Sequence, residues 1–145
     1  MLLLVGLAIA LPACAAKRPK VDEAVPPPWL KNIPVQPLEI VEYRAAEAEG
    51  EHALFMRLSR FPDSSGYSVQ ENPPEIVLRL GGPTVGDDVP EERIVIPDSI
   101  IPAVRVSRQN GSVTIVVELA TADVPPYVID EAADWLIVRV RPPHP

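Results

Sequence analysis

One pattern of residues occurs twice in the sequence, once in residues 66–80 and again in residues 126–140. Each copy places a tyrosine, a β-branched residue, a glutamate, an apolar pair and an arginine at the same offsets, so that Tyr67 matches Tyr127. Self-similarity of this kind is typical of a repeated supersecondary unit, which buries its apolar face only by packing on its neighbour. The repeat therefore predicts one domain built from two similar β units.

The segments around the two copies alternate apolar and polar residues, as half-buried strands do. Residues 52–58 and 112–119 follow this alternation, and Asn110-Gly111, which precedes the second run, is a strong hairpin signal. The nineteen prolines argue against a helical bundle. With about eight strand-like runs and turn signals at short spacing, the pattern predicts an all-β fold, either a small symmetric β-sandwich or an open barrel.

Two segments are expected to connect strands and to form none themselves. Residues 45–51 contain alanines, glutamates and one glycine. They are interpreted as an acidic turn, because a segment this short does not hold a helix alone. Residues 84–93 are polar and acidic, and we expect them to form a connection between the two units.

The first fourteen residues resemble an export signal that ends in a lipidation site. Residues 1–14 are uncharged and mostly apolar, and this run is too short for a membrane-spanning helix, which needs about twenty residues. It matches the apolar region of a secretory signal. Residues 11–14 read Leu-Pro-Ala-Cys, which resembles the bacterial lipobox, and Cys14 is then the lipidated residue. The alternative is ordinary signal cleavage after Ala15 or Ala16, with Cys14 removed.

Prolines dominate the next segment, residues 15–37. Because proline fixes φ and lacks an N–H donor, this segment is expected to be an extended tether. The sequence therefore divides into a signal peptide with lipobox in residues 1–14, the proline-rich tether, a β domain in residues 38–141 and a tail in residues 142–145.

A proline turn precedes the last strand of the first repeat copy, where residues 72–80 read Asn-Pro-Pro-Glu-Ile-Val-Leu-Arg-Leu. With this motif and the duplicated hairpins, residues 38–141 resemble the AMIN domain, the N-terminal β domain of periplasmic N-acetylmuramoyl-L-alanine amidases and of some secretins. Glu75 stands where the family usually has Arg, and Arg79 where it usually has Asp. The resemblance implies attachment to peptidoglycan and a place in the cell envelope.

Charge and motif content exclude several other classes of function. The net charge of −7 excludes a nucleic-acid partner, because phosphate binding needs a local surplus of lysine and arginine. The serines lie in turns outside any nucleophile-elbow motif, and only two histidines are present. We therefore expect a chain that is not an enzyme and binds neither a metal ion nor a cofactor.

Three arginines are the candidate binding residues, together with one tryptophan. Arg57, Arg79 and Arg139 alternate with apolar residues, so each is expected on the exposed face of a strand. One interpretation is that they pair with Glu118 and other cross-strand acids. The functional interpretation is that they bind the carboxylates of peptidoglycan stem peptides, while Trp135 stacks on a sugar of the glycan.

The function predicted from these features is that of a non-catalytic envelope protein. We expect it to be exported to the periplasm, to be held at the outer membrane by a lipid anchor and to bind peptidoglycan. The equivalent positions of Arg79 and Arg139 in the two repeat copies suggest two similar contacts on one polymer. The alternative is an accessory lipoprotein that docks on a secretin, a pilus or another envelope protein complex through an exposed strand edge.

Overall fold

The computed structural model describes residues 34–84 and 89–142. In these ranges the chain forms strands, turns and irregular segments, and none of its segments is a helix that could span a membrane. The strands within the described ranges are β1 Ile40–Ala48, β2 Glu51–Leu58, β3 Ser64–Glu71, β4 Pro74–Gly81, β5 Val89–Val95, β6 Ala103–Gln109, β7 Ser112–Glu118, β8 Tyr127–Ala132 and β9 Trp135–Val140.

These strands form two antiparallel sheets that pack face to face. The four-stranded sheet has the order β1-β2-β9-β8, and the five-stranded sheet has the order β3-β4-β7-β6-β5. One cluster of buried aliphatic side chains, drawn from both sheets, fills the space between them. The all-β fold class is confirmed, and of the two predicted architectures the chain adopts the sandwich.

Each half of the chain contributes one hairpin to each sheet, and the two halves do so in opposite order, so that they are crossed. The β1–β2 hairpin lies in the four-stranded sheet and the following β3–β4 hairpin in the five-stranded one. In the second half the order is reversed, with β6–β7 in the five-stranded sheet and β8–β9 in the four-stranded one. The halves meet where β2 pairs with β9 and where β4 pairs with β7. The two repeat copies correspond to the hairpins β3–β4 and β8–β9, whose first strands both lie at sheet edges.

The alternation predicted from the sequence matches the burial of the strands. In β2 every second residue, from His52 to Leu58, is buried. In β7 the same holds for Val113, Ile115 and Val117. Because consecutive side chains of a strand point to opposite faces, the residues between them lie on the outer faces of the sandwich. The strands nearest the middle of each sheet therefore supply most of the core.

Two residues with positive φ close each of two tight hairpins. Asn110 and Gly111 have φ of 49° and 71°, as a two-residue type I′ turn requires, which confirms the hairpin predicted there. Glu49 and Gly50 have φ of 53° and 74° and join β1 to β2 in the same way. The prediction of an acidic turn over residues 45–51 is therefore wrong, since β1 continues to Ala48 and only two residues turn. Pairing along the whole of β2 outweighs the weak β propensity of alanine and glutamate.

The prediction of an unstructured connection over residues 84–93 is also wrong in part. β5 begins at Val89 and pairs with β6 as the edge strand of the five-stranded sheet. Its polar composition reflects this edge position, where only one side of the strand is paired. β5 has no counterpart in the second half and breaks the symmetry of the described fold.

Contacts with the sandwich begin in the last residues assigned to the tether. The Ser59 hydroxyl donates a hydrogen bond of 2.6 Å to the carbonyl of Pro37. The N–H of Leu38 donates to the carbonyl of Pro83 at 2.7 Å, and the Leu38 side chain is fully buried. The signal peptide, Cys14, most of the tether and the end of the tail, residues 143–145, lie outside the described residues.

Candidate functional site

Three of the four candidate ligand-binding residues lie on the outer face of the four-stranded sheet. Direct partners in an antiparallel pair share a face. The register pairs Arg57 of β2 with Trp135 of β9, and Ala53 of β2 with Arg139 of β9. Arg57, Trp135 and Arg139 therefore point away from the core on neighbouring strands.

The fourth candidate, Arg79, lies on the outer face of the five-stranded sheet. It pairs with Gly66 and Thr114 there, and it is exposed while its neighbours Leu78 and Leu80 are buried. The two outer faces of a sandwich point in opposite directions. Arg79 and Arg139 therefore lie on opposite faces, because the crossed halves place equivalent residues on different sheets. The prediction that both contact one polymer stays a prediction.

A depression on the four-stranded sheet surrounds Trp135, and we call it the aromatic groove. Its volume is about 470 Å³, and its lining residues are Arg44, Ala45, Ala46, Phe55, Ala132, Trp135 and Ile137. Phe55 and Ile137 are direct cross-strand partners and form an apolar floor beside the indole ring. The alanines on the flanking strands β1 and β8 leave this floor open to solvent, because their side chains are too short to cover it.

Arg44 brings a positive charge to one side of the aromatic groove. Its guanidinium carbon lies 5.9 Å from the centroid of the Trp135 ring, within the range of a cation–π interaction. The side chain of Arg44 is 70% exposed, so the guanidinium remains accessible to a ligand.

Glu42 connects Arg44 to Arg57. One carboxylate oxygen lies 2.7 Å from Arg44 Nε and the other 3.1 Å from Arg57 Nε. The hydrogen bond from Arg44 lowers the pKa of Glu42 below its ordinary value of 4.5. This carboxylate holds two guanidinium groups in place beside the groove, and Arg57 has its charge partner within the sheet.

Arg139 belongs to a second group of charges at the far end of the same face. Asp130 accepts a hydrogen bond from its guanidinium, and this contact raises the pKa of Arg139. Glu51 lies 4.0 Å from Arg139 and accepts a hydrogen bond of 3.1 Å from Arg141. The interpretation that the arginines pair with acids therefore describes Arg57 and Arg139, although their partners are acids of the same sheet and not Glu118.

A different cluster of charges occupies the outer face of the five-stranded sheet. Glu75 and Glu118 are direct cross-strand partners, and Glu75 is only 7% exposed. Arg105 bridges them, with Nη2 at 2.6 Å from Glu75 and Nε at 3.2 Å from Glu118. Arg93 also contacts Glu118 through two nitrogens, at 3.1 and 2.7 Å. Cross-strand repulsion between the two glutamates is thus offset by arginines of β5 and β6.

The domain is expected to lose stability on acidification below pH 4.5. Hydrogen bonds from Arg93 lower the pKa of Glu118 below its ordinary value of 4.5, as Arg44 does for Glu42. A carboxyl whose pKa is lower in the folded state contributes stability above the unfolded-state pKa and loses it as the pH falls through the folded-state pKa. Thermal unfolding followed by circular dichroism between pH 7 and pH 3 measures this, and the melting temperature should decrease below about pH 4.5.

Glu118→Gln is the matched variant for this pH dependence. At pH 7 it should melt below the wild type, because Arg93 and Arg105 lose a charged acceptor. The difference in melting temperature between the variant and the wild type should become smaller as the pH falls below about 4.5, since the wild-type carboxyl is then neutralised as well. A difference in melting temperature that stays constant over this pH range shows that the Glu118 carboxylate does not cause the loss of stability.

Sequence reasoning did not identify Arg44, Phe55 and Ile137 as part of the groove. The signal for Arg44 was present, because Glu42, Arg44 and Ala46 alternate with Tyr43 and Ala45 as strand residues do. Phe55 and Ile137 come together only through the pairing of β2 with β9, which joins two halves of the chain.

In the residues that the structure describes, no three side chains of histidine, cysteine, aspartate or glutamate are grouped so that they could hold a metal ion. A scan against protein-family models finds no match for the chain, and a search of curated proteins finds no similar sequence.

Proposed function

We propose that this chain is a non-catalytic cell-envelope protein of the AMIN type that binds peptidoglycan through the outer face of its four-stranded sheet. In this proposal the chain is exported to the periplasm and held at the outer membrane by lipid on Cys14. The observation that carries the binding function is the aromatic groove, which combines an open apolar floor at Trp135 with the accessible guanidinium of Arg44.

This combination suits a glycan that carries peptide carboxylates. The flat indole of Trp135 offers a surface on which the apolar face of a sugar ring can stack. Arg44 can bind a carboxylate bidentately with its planar guanidinium. It is a better candidate than Arg57 or Arg139, because its side chain is 70% exposed and theirs are each 42% exposed.

The local charge of this face also favours an acidic polymer. The ion pairs of the face contain four arginines and three carboxylates, namely Arg44, Arg57, Arg139, Arg141, Glu42, Glu51 and Asp130. The face is therefore slightly positive on a chain whose net charge is −7. Binding that depends on such exposed charges should weaken with added salt.

The test is sedimentation of the full chain, carrying Cys14→Ser to avoid lipid attachment, with purified peptidoglycan sacculi. The wild-type sequence should sediment with the sacculi. Trp135→Ala should weaken binding by about tenfold, which corresponds to ~1.4 kcal/mol and is a typical magnitude for a lost aromatic contact. Arg44→Ala should weaken binding and reduce its salt dependence, because one charge of the contact is lost.

A second pair of variants tests the groove by adding a side chain and without removing one. Ala46→Tyr places a ring in the groove and should abolish sedimentation, whereas Ala48→Tyr places the same ring on the same strand outside the groove lining. Arg79→Ala, on the opposite face, should bind like the wild type. If the wild type does not sediment, or if both tyrosine variants bind equally, peptidoglycan binding at this face is refuted and the protein-docking alternative takes its place.

A further inference from the structure

The two sheets of the described residues have four edge strands, and three of these strands carry features that discourage pairing with another chain. β1 has a register shift between Ile40 and Glu42, and β5 has one between Val89 and Glu92. β8 has only six residues and includes two acids. Irregular register, short length and charge are the devices by which soluble proteins protect sheet edges.

The fourth edge, β3, carries none of these protections. Its eight residues, Ser64–Glu71, pair with β4 in continuous register from end to end. They contain neither lysine, arginine nor proline, and Glu71 at the end of the strand is the single charged residue. Every residue of β3 is exposed, including Tyr67 at 42% and Val69 at 43%. Such an edge is a template for the addition of another strand.

The hydrogen bonds of the neighbouring strand show which backbone groups of β3 are free. The N–H of Leu119 donates a hydrogen bond to the carbonyl of Pro74, so this carbonyl points toward β7. It points away from Glu71, the cross-strand partner of Pro74, and the two residues form a non-hydrogen-bonded pair. In antiparallel sheets the N–H and C=O of a residue point the same way, and this direction alternates along the strand. Glu71, Val69, Tyr67 and Ser65 therefore present their N–H and C=O groups to the open edge.

The side chain of Tyr67 leaves this edge open. Its hydroxyl donates a hydrogen bond to Glu131 of β8, the edge strand of the opposite sheet. The ring is thus directed across the sandwich and does not cover the backbone of β3. Partial burial of the hydroxyl, followed by its hydrogen bond to Glu131, raises the pKa of Tyr67, so the hydroxyl keeps its proton at neutral pH.

We propose that β3 pairs with β3 of a second copy of this chain, antiparallel about a two-fold axis at Ser68. In this register Tyr67 lies opposite the second copy's Val69, and Ser65 lies opposite its Glu71. Within residues 34–84 and 89–142, no other strand pairs with the open side of these residues, so every facing pair can exchange two hydrogen bonds. The two five-stranded sheets then become one continuous sheet, with the core faces of both copies on the same side.

Charge and the length of the paired segment favour this register over its two neighbours. Direct partners must share a face, so a two-fold axis must pass through a residue, and the neighbouring choices are Tyr67 and Val69. An axis at Val69 pairs only five residues of β3, whereas the axis at Ser68 pairs seven. An axis at Tyr67 places Glu71 opposite the second copy's Asp63, and like charges directly opposite one another are destabilising. The axis at Ser68 separates the two copies of Glu71 and sets the apolar Tyr67 against Val69. The strand is therefore complementary to itself, which is why a second copy is the proposed occupant.

The proposed axis is tested by a cysteine at Ser68, in the full chain carrying Cys14→Ser. Two copies of Ser68 face each other as a non-hydrogen-bonded pair, with Cα atoms ~4.5 Å apart, a distance that a disulfide can span. Ser68→Cys should form a disulfide-linked dimer under mild oxidation. Gln70→Cys, on the same face, should stay monomeric on a non-reducing gel, because its two copies lie about 14 Å apart at ~3.4 Å per residue. Equal cross-linking of both variants, or of neither, overturns the proposal.

Sedimentation equilibrium tests the association without a cross-link. A single strand contact buries a small interface, so we expect a reversible dimer with a dissociation constant of ~1–100 µM. Val69→Lys should shift the chain to monomer, whereas Val95→Lys, on the protected edge β5, should leave the dimer unchanged. A wild-type chain that is monomeric at about 1 mM overturns the proposal, and so does a dimer that survives Val69→Lys. The aromatic groove lies on the other sheet, so this result is independent of sacculus binding.

Discussion

Replacing Arg105 with methionine is expected to lower the free energy of unfolding by about 3 kcal/mol. Glu75 is 7% exposed and has Arg105 Nη2 at 2.6 Å, while Glu118 lies directly opposite it on β7. Methionine keeps much of the packing volume but removes the charge. Two neighbouring carboxylates would then face each other, one of them buried without its partner, and such an uncompensated buried charge is strongly destabilising. Urea unfolding followed by tryptophan fluorescence measures the loss.

The double variant Arg105→Met/Glu75→Gln is the control for this prediction. Removing the charge of Glu75 as well should recover a large part of the lost stability, because the cost arises from the unpaired carboxylate and not from the missing arginine. If Arg105→Met costs less than about 0.5 kcal/mol, the cluster behaves as an ordinary surface ion pair.

Leu78→Ala is expected to lower the free energy of unfolding by about 3 kcal/mol, whereas Arg79→Ala, at the next residue, should lower it by less than about 0.5 kcal/mol. Leu78 is fully buried in β4, between its partners Tyr67 of β3 and Ile115 of β7. Shortening it leaves a cavity in the core, which adds to the lost transfer free energy. Arg79 is exposed on the other face of the same strand.

The pair of variants also tests the register of β4. If the register of β4 were shifted by one residue, each side chain would lie on the opposite face of the sheet. Arg79→Ala would then cause the larger loss of stability and Leu78→Ala the smaller one. Equal losses in denaturant unfolding for Leu78→Ala and Arg79→Ala contradict the inward position of Leu78.

The parts of the fold that were predicted correctly are those that local patterns determine. The alternation in β2 and β7, the two repeated hairpins and the Asn110-Gly111 turn all depend on residues close together in the sequence. The all-β class follows from these elements together. Local patterns failed at β1, where alanines and glutamates favour other structures and only pairing with β2 maintains the strand.

The arrangement of the hairpins and of the groove depends on contacts between distant residues. Nothing local to either repeat copy shows that one belongs to each sheet, so the sequence could not show that Arg79 and Arg139 lie on opposite faces. The burial of Glu75 was also unexpected, because the compensating Arg105 lies on β6 and reaches it across β7. Trp135 was predicted to be a binding residue, but apart from Ile137 its neighbours in the groove come from three other strands.

The crossing of the two halves has a consequence for the order in which the protein can fold. When synthesis has reached Gly81, the sequences of two hairpins have been made, but the inner strands β2 and β4 still lack their partners β9 and β7. Isolated hairpins are marginally stable in water, so neither should persist alone. Pairing β2 with β9 must close a loop of about 80 residues, which makes folding slow and cooperative. We therefore expect a nascent chain of this design to stay unfolded until β9 has been made. This suits the proposed export, since it leaves time for the chain to cross a membrane before it folds.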